Sequence, residues 1–242
     1  MNKEIDIDAL LAPIPGDNPA GEDLRYTRVY DDIKEARRED DLSALSGGKA
    51  KSADWNKVFK LSVEALEKKS KDLQIAAWLA ESLIRTEGFN GLSISLRIFT
   101  SLLRDYWENL YPLIEEGDLD YRIGPLEFMN EKLSLSIKHI PITNTGTTPG
   151  YSWFKWDESR VVGYEKDTLN SFGDVDMNKK AQRDDLISEG KLTAEEFDSA
   201  VGQSSEVFCE SLAESLKMCS EAFRTFDETI DGKFGSDAPR LA

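Results

Sequence analysis

Apolar residues recur in steps of three and four throughout residues 55–112, and charged residues fill the positions between them. This spacing predicts helices with one buried face. We expect three of them with almost no loop between, the first beginning at Trp55. The second is predicted to begin after Asp72 as N-cap and to end at Gly88. It is apolar nearly all round, which is typical of a buried helix, so we place it at the centre of the fold. The third is predicted to stop at Pro112.

Turn-forming residues dominate the chain before this stretch. Pro15-Gly16 and Asn18-Pro19 predict that residues 6–24 form an extended loop that lies over the body. Apolar spacing then predicts a short helix over residues 26–37. The glycine pair within residues 46–52 predicts a flexible linker.

Beyond Pro112, Pro125 suits the first turn of a further helix, whose apolar stripe ends at Ile140. A dense aromatic cluster follows, with Trp153, Phe154 and Trp156. Two interpretations of the cluster stay open. It packs a loop or short helix onto the bundle, or it is a recognition hot spot, in which Trp and Tyr are enriched.

The C-terminal part of the chain predicts two more helices. Thr193 and Glu196 form a capping box that starts a short one. The last helix begins at Ser204 or Ser205 and carries an apolar seam with heptad spacing. The seam residues are Leu212, Leu216, Cys219, Phe223, Phe226 and Ile230. Because the seam is shorter than about three heptads, it favours packing within the chain over pairing with a second copy.

These patterns predict an all-α fold, a multi-helix bundle with antiparallel neighbouring helices and a long C-terminal helix. We expect four regions along the chain: a loop, short helix and linker over residues 1–52, a helical core over 53–165, a helical extension over 166–231, and the start of a linker over 232–242.

The charge of the chain narrows the classes of partner. It has 46 acidic and 30 basic residues and a formal net charge of −16. Such a surface repels phosphate backbones and anionic lipid, so nucleic acid and membrane surfaces are not expected as partners. It suits basic protein partners, although the same charge also serves simple solubility.

The sequence predicts a cytoplasmic protein. It has no run of the ~20 apolar residues that a membrane span needs, and its acidic start does not resemble a secretory signal. Cys209 and Cys219 lie on one predicted helix, separated by roughly 15 Å along its axis, too far for a disulfide. Reduced thiols are typical of the cytoplasm.

Residues that could perform catalysis are few. The single histidine, His139, is expected to lie at a helix C-terminus, where its role is structural. No phosphate-binding loop, nucleophile elbow or zinc-protease motif is present, and the two cysteines lack metal-site spacing. We therefore expect no enzymatic activity, no cofactor and no metal.

One acidic pattern resembles part of a calcium loop. Asp174, Asp176 and Asn178 occupy its first, third and fifth positions. Lys179 stands where the loop requires glycine, and Asp185 where it requires a bidentate glutamate. Both departures speak against a calcium site.

Several segments together resemble the N-terminal region of the ImpA/TssA family of type VI secretion components. The resemblance begins at Leu11-Ala-Pro-Ile-Pro-Gly-Asp-Asn-Pro-Ala-Gly-Glu-Asp-Leu-Arg-Tyr26, which is similar to the opening motif of the family. It continues through Ala53-Asp-Trp-Asn56, Ser70-Lys-Asp-Leu-Gln74, the segment 78–92, and Tyr106-Trp107 to Tyr111-Pro112. Residues 189–197 and 234–239 resemble the extension toward the central linker of the family.

The resemblance implies a helical, cytoplasmic, non-enzymatic protein that helps to assemble the contractile apparatus. It implies contacts with baseplate, membrane-complex or tail tube and sheath components. Full-length family members oligomerise through C-terminal parts that this sequence does not contain, so we expect a fragment or a truncated member. The residues 53–165 would be the helical core of the ImpA N-terminal type.

Two places are predicted to contact proteins, and for both the alternative is packing against the bundle. The candidate residues are Pro15, Gly21, Glu22, Asp23, Arg25, Trp153, Phe154 and Trp156. The alternative function is a generic helical oligomerisation domain, with Leu212, Leu216, Phe223, Phe226 and Ile230 as its self-association seam.

Overall fold

The computed structural model describes residues 5–40 and 51–240. Over these residues the secondary structure is helical, and strand pairing is limited to isolated bridges. The all-α, multi-helix prediction is therefore confirmed. Most of the predicted linker at 46–52, and the last two residues of the predicted tail, lie outside the described residues.

The structure gives the bounds of the helices. In chain order they are α1 (Ile7–Leu11), α2 (Arg28–Arg37), α3 (Trp55–Lys68), α4 (Leu73–Asp105), α5 (Asp120–Phe128), α6 (Ser134–Lys138), α7 (Trp153–Val162), α8 (Met177–Ser188), α9 (Ala194–Gln203) and α10 (Glu206–Phe234). A π-helical turn, Met129–Leu133, joins α5 to α6, and 3₁₀ turns occupy Glu165–Thr168 and Gly235–Asp237.

The described chain divides into two compact units. Unit 1 comprises the residues up to Ile137 together with those from Ser215 onward, and unit 2 is Lys138–Glu214. Helix α10 therefore begins in the sequence of unit 2 and ends in that of unit 1. The region boundaries that we predicted from the sequence, after residues 52, 165 and 231, do not coincide with the boundaries of these units. They remain predictions.

Helix α4 supplies the core of unit 1, as its pattern predicted. Every residue of its first three turns is buried except Gln74. Asp72 is its N-cap, since the carboxylate accepts hydrogen bonds from the amides of Gln74 and Ile75. The predicted break is present as a kink at Gly88, whose φ of 60° and ψ of −133° are not helical. The two predicted helices thus meet without a loop.

Three predictions about where helices begin, end or are absent were wrong. The loop 6–24 contains the short helix α1, capped by the Asp6 carboxylate, which accepts from the amide of Ala9 at 2.9 Å. The third helix ends at Asp105, because residues 106–109 form a turn, after which the Tyr111 amide donates to the carbonyl of Lys71 at 2.9 Å. Helix α5 begins at Asp120, so Pro125 lies inside it rather than in its first turn.

Unit 2 contains α7, α8, α9 and the first part of α10. The predicted capping box is confirmed: the Thr193 hydroxyl accepts from the amide of Glu196, and the Glu196 carboxylate accepts from the amide of Thr193. Gly163, with φ of 73°, ends α7 in a conformation that favours glycine. Cys209 and Cys219 both lie on α10 as free thiols, the first exposed and the second buried, so the prediction of no bridge is confirmed.

Candidate functional site

The predicted N-terminal contact segment, residues 15–25, is tied to the body of unit 1 by its backbone. Asn18 accepts from the amide of Gly21 at 2.9 Å and closes a turn, and the Glu22 amide donates to the carbonyl of Lys69 at 2.9 Å. Gly21 has φ of +75°, and a Cβ there would lie 2.1 Å from the Lys69 carbonyl oxygen. Only glycine fits this crossing of two backbones.

Asp23 and Arg25 stabilise the same segment through their side chains. The Arg25 guanidinium donates to Asp23 Oδ2 at 2.8 and 2.6 Å, and the Arg25 amide donates to Oδ1 at 2.9 Å. Partial burial alone would raise the pKa of Asp23, but these hydrogen bonds outweigh it and lower the pKa. Gly21, Asp23 and Arg25 therefore hold the fold. Pro15 and Glu22 are exposed, so within this segment they remain the candidates for partner contact.

Behind the segment lies a lysine that is completely buried. The Lys71 ammonium donates to the carbonyls of Leu10 and Leu66 at 2.5 and 2.6 Å, and it lies 5.7 Å from the ring centre of Tyr106. Burial lowers the pKa of Lys71 to about 8. One side chain thus joins α1 to the end of α3.

Arg122 and Asp72 are also completely buried in unit 1. Arg122 donates to three backbone carbonyls, those of Trp107, Leu110 and Pro112, at 2.5 to 2.7 Å, and burial lowers its pKa to about 10. Asp72 caps α4 through Oδ1, while its Oδ2 is buried without a hydrogen-bond partner. Burial raises the pKa of Asp72 to about 7. Both cationic side chains, Lys71 and Arg122, donate to backbone carbonyls and so link segments of unit 1.

The aromatic cluster lies on α7 of unit 2 and is half packed and half exposed. Trp153 and Trp156 are each 39% exposed, and their ring centres are 6.3 Å apart. Phe154 packs instead against the ring of His139 at 4.7 Å. The Lys138 ammonium lies 4.9 Å from the ring centre of Trp153. The two indoles form an apolar surface with a cation beside it, which can contact a protein.

The next turn of α7 carries an ion pair that fixes the aromatic surface. Arg160 donates to Asp198 Oδ1 and to the hydroxyl of Tyr164, both at 2.6 Å, and its guanidinium lies 5.9 Å from the ring centre of Trp156. Tyr164 donates to the other carboxylate oxygen at 2.5 Å. The hydrogen bond from Arg160 is the main cause that lowers the pKa of Asp198. This network joins α7 to α9 and orients the indole of Trp156.

The predicted self-association seam on α10 is divided by burial. Phe226 and Ile230 lie in the interior of unit 1, where the ring of Phe226 meets that of Phe99 edge-on at 5.8 Å. Leu216 and Phe223 are exposed, and Leu212 is partly exposed. Phe223 also borders an apolar cleft of about 340 Å³ within unit 1. Only the exposed part of the seam is available to a second copy.

The sequence patterns did not single out an exposed apolar loop in unit 2. Phe172 is 89% exposed and Met177 is 72% exposed, with Leu169 and Val175 beside them. Helical or strand periodicity gives no signal for so short a loop. The turn-forming pair Asn170 and Gly173 around an aromatic residue was the signal present in the sequence.

The remaining candidate residues have structural positions. His139 follows the last residue of α6 directly, as predicted. Asp176, part of the calcium-like pattern, caps α8 by accepting from the amides of Asn178 and Lys179 at 3.0 and 3.3 Å. Among the residues that the structure describes, no three His, Cys, Asp or Glu side chains are grouped as a metal site would need. None of the described helices is long and apolar enough to cross a membrane.

Comparison with known proteins identifies the family. Residues 11–131, half of the chain, match the family model described as ImpA, N-terminal, type VI secretion system. The chain belongs to this family. The matched part of the ImpA N-terminal region includes the tied segment 15–25, the buried Lys71, Asp72 and Arg122, and all of α4.

Two relatives extend the comparison beyond that part. Type VI secretion system component TssA1 of Pseudomonas aeruginosa is 30% identical over 147 residues, which are 58% of this chain and 42% of that protein. The chain therefore spans less than half the length of this curated relative. The solved N-terminal domain of the TssA component from Burkholderia cenocepacia, which includes the conserved ImpA N-terminal region, has a TM-score of 0.83. It is 27% identical, and the alignment covers 99% of this chain and 88% of that one. The helical fold of both units is thus present in a known TssA domain.

Proposed function

We propose that this chain is an assembly and docking module of a type VI secretion system and that it acts in the cytoplasm through protein contacts rather than catalysis. Its family membership carries the proposal, because both the family and its relative TssA1 are described as type VI secretion components. The partially exposed indoles of Trp153 and Trp156 supply a suitable surface. The proposed partners are components of the baseplate, the membrane complex or the tail tube and sheath.

A binding assay with defined components tests this proposal. The full chain is immobilised, and purified baseplate, tube, sheath and membrane-complex proteins of the same bacterium are passed over it one at a time. We expect at least one of them to bind. The double variant Trp153→Ala with Trp156→Ala is expected to bind it at least about tenfold more weakly. Val161→Ala is the matched control, because Val161 is 68% exposed on the same helix. Binding by no component contradicts the proposal.

Self-association through α10 is the second candidate, and the exposed Leu216 and Phe223 favour it. Light scattering over a range of concentrations would show a dimer that Leu216→Glu dissociates. A chain that stays monomeric at high concentration excludes this function. The buried Phe226 is unsuitable for the test, because its substitution would unfold unit 1.

A further inference from the structure

The exposed loop of unit 2, residues 169–177, is a closed hairpin rather than an open connection. Leu169 and Val175 form an antiparallel bridge, and the Asn170 amide donates to the carbonyl of Asp174 at 2.8 Å. The side-chain oxygen of Asn170 accepts from the amides of Phe172 and Asp174 at 2.9 and 3.0 Å. The backbone at the tip is therefore fixed by hydrogen bonds on both sides.

The base of the hairpin is anchored to helical structure at both ends. The Asp176 amide donates to the carbonyl of Thr168 at 2.8 Å, and Asp176 then caps α8. The buried Thr168 hydroxyl donates to the carbonyl of Glu165 at 2.7 Å, within the 3₁₀ turn before the hairpin. Because the hairpin is already ordered, a partner that binds it does not need to order its backbone.

Four of the eight side chains of this anchored hairpin are apolar, and all four of these face water. Phe172, at the tip, is 89% exposed, and Met177, Val175 and Leu169 are exposed on the same hairpin. A single exposed apolar side chain is ordinary, but a group of them on one ordered hairpin is typical of a contact surface. Aromatic side chains that enter a partner's pocket supply much of the binding energy at such surfaces.

Charge indicates what kind of surface the hairpin fits. Its two charged residues, Asp174 and Asp176, are both acidic. The whole chain has a net charge of −16, which disfavours a second copy as the partner of this acidic hairpin. Lys179 and Lys180 follow in α8, where Lys180 pairs with Asp184 at 3.1 Å. The surface that complements the hairpin is an apolar pocket with a basic rim.

We propose that residues 169–177 are a docking hairpin that inserts Phe172 into an apolar, basic-rimmed pocket of another protein of the secretion apparatus. The proposal rests on the proposed function and names a contact that the family comparison does not supply. It assigns the hairpin a role separate from that of the indoles on α7.

The test measures the affinity of the full chain for the same purified baseplate, tube, sheath and membrane-complex proteins at two salt concentrations. We expect Phe172→Ser to weaken binding of one component at least about tenfold. Asp174→Asn is expected to weaken it two- to threefold, by roughly the loss of one exposed ion pair, and to reduce the salt dependence. Tyr26→Ser is the matched control, because Tyr26 is an aromatic residue that is 95% exposed in unit 1.

Each other outcome decides against the hairpin. Unchanged affinity of Phe172→Ser for a component that wild type binds overturns this inference and leaves the proposed function standing. If Phe172→Ser weakens binding but the salt concentration does not affect it, the proposed basic rim of the partner's pocket is wrong. Light scattering that shows a dimer dissociated by Phe172→Ser assigns the hairpin to a second copy and overturns the stated partner. If no component binds wild type, both proposals fail.

Discussion

Units 1 and 2 differ most clearly in their buried charges, since among the described residues every buried charged side chain belongs to unit 1. Unit 1 buries Lys71, Asp72 and Arg122 completely and uses them to join backbone segments. Unit 2 leaves Trp153, Trp156 and Phe172 partly or almost wholly in water. A buried charge costs free energy unless every hydrogen bond is made, so it makes the fold sensitive to substitution. An exposed aromatic residue has little effect on stability, so its substitution is expected to affect binding.

Arg122→Met should give the largest loss of stability. It removes the guanidinium and leaves two buried carbonyls and one partly buried carbonyl without their donor. We expect the free energy of unfolding to fall by at least about 3 kcal/mol. Urea titration followed by circular dichroism measures the loss. Arg97→Met is the control, because Arg97 is exposed on α4, and its effect should stay within about 0.5 kcal/mol. Equal effects of the two variants would show that the buried hydrogen bonds do not stabilise unit 1.

Gly21→Ala tests the tie between the N-terminal segment and Lys69. The new Cβ would lie 2.1 Å from the Lys69 carbonyl, at a φ of +75° that alanine disfavours. We expect a loss of at least about 2 kcal/mol in thermal or urea unfolding. Gly124→Ala is matched to it, because no atom lies within 4 Å of a Cβ at that helical position. The free energy of unfolding of this control should increase by about 0.5–1 kcal/mol, because alanine is more favourable than glycine within a helix. A Gly21→Ala protein as stable as wild type would mean that the two backbones can separate without cost.

Asp72→Asn should change stability in a way that depends on pH. Burial raises the folded-state pKa of Asp72 from 3.8 to about 7, so the folded protein holds a proton that the unfolded chain releases. The stability that this proton contributes is complete below pH 3.8 and is lost as pH rises through 7. Asparagine has a side-chain oxygen that can still cap α4, and it does not ionise. The variant is therefore expected to gain roughly 2–3 kcal/mol relative to wild type between about pH 5 and pH 8.

Urea unfolding of both proteins at the two pH values measures this change. Asp54→Asn is the control, because Asp54 caps α3 in the same manner but is exposed. If the difference in the free energy of unfolding between Asp72→Asn and wild type does not change with pH, the interpretation of Asp72 as a buried, protonated cap is wrong.

Phe172→Ser should have the smallest effect on the fold. Its ring makes little contact with the rest of unit 2, so the free energy of unfolding is expected to change by less than about 0.5 kcal/mol. The same urea titration measures it. A decrease of more than about 1 kcal/mol in the free energy of unfolding would show that the hairpin stabilises the fold. The exposed aromatic residues of unit 2 would then contribute to stability as the buried charges of unit 1 do.

Some of this structure could be predicted from the sequence because its causes are local. The apolar residues of α4, the Asp72 cap, the break at Gly88 and the Thr193–Glu196 capping box depend on neighbours along the chain. The burial of Lys71 and Arg122 depends on carbonyls from other segments, and patterns that assign charge to the surface miss it. Helix α1 is too short to show periodicity.

The candidate contact residues also differ in whether the sequence alone could reveal them. The motif around Gly21, Asp23 and Arg25 was visible in the sequence, and the structure uses it to hold a turn and a salt bridge. Phe172 was not singled out, because exposure of an apolar residue is decided by the fold around it. The recognisable family motif in this chain thus marked a structural tie, whereas the sequence around Phe172 indicated only a turn.

The chain order of unit 1 has a consequence for synthesis on the ribosome. Phe226 and Ile230 belong to its core, yet they are translated only after all of Lys138–Glu214. Until then the nascent chain exposes the apolar surface around Phe99 that Phe226 covers in the finished protein. Unit 1 therefore completes its core late, and during elongation it presents to chaperones the surface that α10 later covers.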